Sequence, residues 1–129
     1  MEGFVSLLRR KEDLRFTGGV SEELIEACEK MLNLSFSTEY KEYLLAFGVA
    51  TYEDHEFMGI GSSKRLDVVN NTMLERAKNT NAAEAYYVVE RLDIDDVLIW
   101  QNREGEVFQS VGNACWKKIA ESLAEYISE

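Results

Sequence analysis

A chain of 129 residues, 46% hydrophobic and 29% charged, has the length and make-up of one globular domain that buries a core without disulfide or metal staples. The net charge of −10 disfavours a phosphate-neutralising nucleic-acid surface and an anionic membrane surface, and it permits a basic protein partner. No run of about 18 apolar residues predicts a membrane span, and the opening M-E-G-F-V-S-L-L-R-R-K sets its charges after a short apolar patch, so no export signal is expected and a cytoplasmic location is implied.

Residues 1–19 read as an N-terminal helix or arm. Phe4, Leu7, Leu8 and Leu14 share one side, and the basic Arg9, Arg10, Lys11 and Arg15 lie elsewhere, which suits docking against the domain. Gly18-Gly19 breaks the chain. Ser21 is an N-cap with Val20 and Ile25 as its hydrophobic staple, and Glu22 and Glu23 sit at the favourable end of the helix dipole. Leu24, Ile25, Cys28, Met31 and Leu32 recur at helical spacing. Ser37 caps a second helix carrying Tyr40, Tyr43, Leu44 and Phe47, and Gly48 stands where a left-handed terminator is wanted.

After Gly48 the pattern predicts two short strands around a polar turn at 53–56, a loop over 59–65, and a helix over 66–78 with Asp67 as its cap. Strands are predicted at 85–92, 97–101 and 107–111, the last two joined by an N-R-E-G turn whose Gly105 supplies a positive φ. A final helix is expected from an Asn113 cap, with Trp116, Ile119, Leu123, Tyr126 and Ile127 as its stripe. Cys28 and Cys115 read as buried free thiols in a reducing compartment. The fold class is α+β: a mainly antiparallel sheet of about four to six strands with helices packed on one face, over a single domain spanning 1–129.

The helix pair also resembles the opening of the SUKH superfamily, which includes fungal cell-wall-synthesis regulators and bacterial immunity proteins. The family runs an Ile, a Glu four residues later, Leu-Gly, Leu-Pro, Asp-Tyr and a closing Gly. Here Ile25, Glu29, Leu32-Asn33, Phe36-Ser37, Glu39-Tyr40 and Gly48 match. Asn33 replaces the Gly but tolerates left-handed angles, and Ser37 replaces the helix-starting Pro with a side-chain cap. Glu29, near the apolar face of its helix, is expected to accept bonds from backbone amides of a neighbouring loop.

No catalytic constellation is present. His55 is the only histidine, which removes any two-His metal site, and the Glu53-Asp54-His55-Glu56 run reads as a solvated turn. G-I-G-S-S-K at 59–64 fails the spacing of a phosphate-binding loop, and nothing orients the adjacent Asp95-Asp96 pair for acid–base work. No metal and no cofactor is expected. The remaining signal is regional. Glu84, Glu90, Asp93, Asp95, Asp96, Glu104 and Glu106 face only Arg91 and Arg103, and Glu53, Asp54 and Glu56 add to them. Were these turns neighbours, they would form an acidic rim around Tyr52, Tyr87 and Trp100, and the candidate partner-binding set is Glu53, Asp54, Glu56, Tyr87, Asp93, Asp95 and Asp96. The resemblance implies an immunity protein that occludes a basic toxin domain, such as a nuclease, without catalysis. The alternative is a scaffold in cell-wall or signalling control.

Overall fold

The structure, a computed structural model, describes residues 2–61, 63–78, 85–92, 96–111 and 114–128, without the side chains of 114 and 115. The helices are α1 (Phe4–Arg9), α2 (Glu22–Leu32), α3 (Thr38–Phe47), α4 (Val68–Lys78) and α5 (Leu123–Ser128). The strands are β1 (Arg15–Phe16), β2 (Ala50–Tyr52), β3 (His55–Phe57), β4 (Tyr87–Arg91), β5 (Val97–Gln101), β6 (Val107–Val111) and β7 (Ala114–Ala120). They form one antiparallel sheet in sequence order, β1 to β7. The α+β class therefore holds, with more strands than the four to six expected.

The two extra strands come from places where the periodic signal fails. β1 is only two residues long, too short to show alternation. β7 occupies the segment read as the start of the last helix. Its pairing with β6 slips between Val107 and Phe108 and again between Gln109 and Val111. Such bulges break the two-residue alternation of a strand, so Trp116 and Ile119, three apart, mimic a helical stripe. The helix itself begins only at Leu123, and Asn113 and the side chain of Cys115 lie outside the described residues.

The α2–α3 pair forms as its caps dictate. Ser21 Oγ accepts the Leu24 amide at 3.2 Å and Ser37 Oγ accepts the Tyr40 amide at 3.0 Å. Asn33 ends α2 in the left-handed region, at φ 54°. Gly48 ends α3 at φ 73°, and a Cβ there would collide with the Gly18 carbonyl oxygen, so only glycine fits.

α3 is bound to the sheet by buried aromatics. Tyr40 and Tyr43 are fully buried, and their hydroxyls donate to the carbonyls of Met58 (2.7 Å) and Phe57 (3.1 Å). The same Tyr43 oxygen accepts the Ala50 amide at 2.8 Å. Burial gives each ring its large apolar contribution, and the hydroxyl bonds remove the cost of desolvating the polar tip. Phe4 of α1 packs on Tyr43 and Phe57, with centroids 5.4 and 5.3 Å away, so the N-terminal helix docks on the domain as its apolar side predicts.

Candidate functional site

The site residues separate into a buried seam and an exposed end. The seam carries the helix-pair motif. Glu29 Oε2 accepts the Phe36 amide at 2.8 Å, the loop-amide role expected of it, with Lys41 Nζ at 3.6 Å. Ile25, Leu32 and Tyr40 are core residues. Glu39 does work that spacing alone does not announce. Its Oε1 accepts the Leu123 amide at 2.7 Å and its Oε2 accepts the Ala124 amide at 3.0 Å, so a carboxylate on α3 caps the start of α5. Gln101 Nε2 also donates to Glu39 Oε1, at 2.9 Å.

Tyr87 belongs to this seam and not to the surface, which corrects its place in the candidate binding set. It is fully buried; its hydroxyl oxygen accepts the Ser37 amide at 3.0 Å and donates to Gln101 Oε1 at 2.8 Å. Burial and hydrogen bonding leave nothing of it to offer a partner, and desolvation pushes its phenol well above the ordinary range. Tyr52 and Trp100 are likewise core residues and not anchors in a rim.

The exposed end follows from register. Arg15 pairs with Thr51, Tyr52 with His55, Phe57 with Glu90, and Arg91 with Leu98. Extending these pairings brings Asp13, the Glu53–Asp54 turn and Asp96 to the same end of strands β1 to β5. The Glu53 amide donates to Asp13 Oδ2 at 2.6 Å, which closes this row. Glu12, Asp13, Glu53, Asp54 and Asp96 are all exposed, and among the described residues Glu53, Asp54 and Asp96 form no ion pair. Glu53 and Asp96 hold left-handed backbone, φ 49° and 57°, where glycine would be easier. Glu12 and Asp13 come from the arm that reads as basic in sequence; only strand pairing reveals their place. Asp93 and Asp95 lie outside the described residues.

The other acids do not complete a single rim. Glu104 and Glu106 lie at the opposite end, in the β5–β6 hairpin, where Glu106 pairs with Lys118 at 2.7 Å. Glu56 is gripped by both terminal nitrogens of Arg65 at 2.7 and 2.9 Å, and that contact holds its carboxyl below the usual range. Glu90 is buried. Its Oε2 lies 2.8 Å from His55 Nδ1 and its Oε1 accepts the Tyr126 hydroxyl at 2.6 Å. Desolvation is the largest influence on Glu90 and raises its pKa.

His55 thus belongs to a strand, not a solvated turn. Its ring is orientated by Glu90 and packs against both Tyr52 and Phe57, with centroids 5.0 and 5.6 Å away, while those two rings also touch each other at 6.1 Å. With Nδ1 turned to Glu90, Nε2 is left as the group facing away from the carboxylate. Among the described residues no three or more His, Cys, Asp or Glu side chains gather to hold a metal ion, and no helix is long and apolar enough to cross a membrane. Cys28 is a free, buried thiol, and burial pushes its pKa up.

A family model described as SMI1-KNR4 cell-wall, SUKH_5, matches residues 1–129. The chain belongs to the SUKH superfamily. The match spans the whole sequence, and the Glu29 and Glu39 geometry gives the SUKH opening motif its physical content: one acid closes the bend between α2 and α3, and the next ties α3 to α5. No curated protein matches this SUKH chain significantly.

Proposed function

We propose that this SUKH domain is a non-catalytic immunity protein that occludes a cognate basic toxin domain with the acidic end of its sheet. The observation that carries the reading is the row of Asp13, Glu53, Asp54 and Asp96, assembled from three separate segments and left without cationic partners among the described residues. Two of these acids occupy positive-φ positions, at some backbone cost. An acidic surface on a chain of net charge −10 accelerates encounter with a basic active-site surface and adds specificity. His55, held by Glu90, stands at the root of the same turn as an orientated polar group.

The test is affinity purification of the tagged protein from its native cells, with mass spectrometry of what remains bound. One stoichiometric basic protein, toxic when expressed alone and released by charge reversal at Glu53, Asp54 and Asp96, supports the reading. The cell-wall association of the matching family favours a second reading, a regulatory scaffold in cell-wall control. Several substoichiometric partners, indifferent to those three substitutions, would move the assignment there.

A further inference from the structure

A cleft of about 370 Å³ beside α4 runs against the charge of the rest of the molecule. Among the described residues, Lys64, Arg65, Lys78 and Arg91 line it against the carboxylates of Glu56 and Glu75, a cationic balance in a chain of net charge −10. Its guanidinium groups are held in place. Arg65 is gripped by Glu56, and Arg91 donates to Glu75 Oε2 at 2.8 Å and to Asn71 Oδ1 at 2.9 Å.

Asn71 is itself buried, and its amide nitrogen donates to the carbonyls of Arg65 and Asp67 at 3.0 and 2.8 Å. Those carbonyls require the NH2 group, which fixes Oδ1 towards Arg91. Each guanidinium carries five N–H donors in a planar fork suited to carboxylates. The Lys78 ammonium lies 3.9 Å from Glu75, a loose contact. The wall also carries Leu74, 49% exposed.

The geometry points to a binding site for an acidic peptide segment of a protein partner, with carboxylates on Arg91 and the two lysines and an apolar side chain against Leu74. An open trough suits a segment laid across it better than an enclosed small ligand: the Arg65 and Lys78 side chains are each 67% exposed, whereas small-molecule sites bury most of their ligand. The exposed leucine distinguishes the site from one for a bare inorganic anion. Screening over about 8 Å at physiological ionic strength lets the local lining outweigh the distant net charge. The site uses none of the residues of the acidic end and does not rest on the immunity reading.

The experiment is an NMR titration of the full 15N-labelled chain with three probes: acetyl-Glu-Asp-Leu-Glu-Asp-amide, its Gln/Asn counterpart, and inorganic phosphate. The expected result is saturable shifts from the acidic peptide at the amides of 64–65, 70–78 and 91, diminished by salt. Binding should weaken about tenfold in the Lys64→Glu/Lys78→Glu double variant, whose exposed positions leave the fold intact. Any of four results would overturn the assignment: absence of saturable shifts in the cleft, equal binding of the neutral peptide, equal potency of inorganic phosphate, or unchanged affinity in the double variant. Glu53→Lys/Asp54→Lys should leave peptide binding at the cleft in place, and shifts centred on the acidic end instead would also defeat it.

Discussion

The buried seam and the acidic end use the same residue types in opposite ways. In the seam every carboxylate has partners: Glu29 takes the Phe36 amide, Glu39 takes the Leu123 and Ala124 amides, and Glu90 takes Tyr126 and faces His55. At the end of the sheet Glu53, Asp54 and Asp96 stand in solvent without an ion pair among the described residues. Leaving the buried Glu90 without partners would cost several kcal/mol, and leaving the half-buried Glu29 and Glu39 without theirs would cost less, so each seam acid is committed to one geometry. An exposed one costs little and is free to serve recognition. Charge by itself therefore says little about function here; what separates the two groups is whether the fold has already used the charge.

The comparison predicts a ladder of effects. Tyr87→Ala removes a fully buried ring and leaves the Ser37 amide and Gln101 short of a partner, and should destabilise by about 3–5 kcal/mol in chemical denaturation. A loss below about 1 kcal/mol would show that the seam relaxes around the cavity. Glu39→Ala should cost about 2 kcal/mol and expose α5 first, read as faster amide exchange over 123–128 than over α3. Uniform exchange would deny that this acid holds α5. Glu29→Ala should lower stability by about 1 kcal/mol, and an unchanged melting temperature would remove its role at the α2–α3 bend.

Glu90 sharpens the contrast through pH. Its folded pKa is raised by burial, so the native state binds its proton more tightly than the unfolded chain does. The stability this contributes is fully present below the ordinary glutamate value near 4.5 and is lost as pH rises through the raised one. Glu90→Gln keeps an acceptor for Tyr126 and removes the titration. The wild-type melting temperature should therefore fall relative to the variant as pH rises across that window. Parallel profiles would place the cause of any pH dependence elsewhere.

The smallest effect on stability belongs to the acidic end. Glu53→Lys/Asp54→Lys should change it by less than about 0.5 kcal/mol while weakening capture of a basic partner. A large stability loss, or partner capture unaffected by the swap, would break the distinction between the two regions.

Several features were legible in the sequence because their causes are local. Caps at Ser21 and Ser37, the left-handed Asn33, the terminating Gly48 and the limits of β5 and β6 all follow from neighbours within a few residues. The loop-amide role of Glu29 was legible through its spacing in the family motif. β7 was not, because a bulge broke its alternation, and Tyr87 was misplaced because a β-former in a strand does not announce which face is covered.

The sequence by itself therefore determined the helix pair, the α+β class and the acidic balance, since propensity, capping and composition act over short range. Tertiary structure decided which acids are spent and which are available. That depends on strand register across β1 to β5, which joins Asp13 to Glu53 over 40 positions of chain, and on the burial that ties Glu39 to α5 and Glu90 to Tyr126. Pairings of such range are set when the sheet closes on its helices, and no local pattern encodes them.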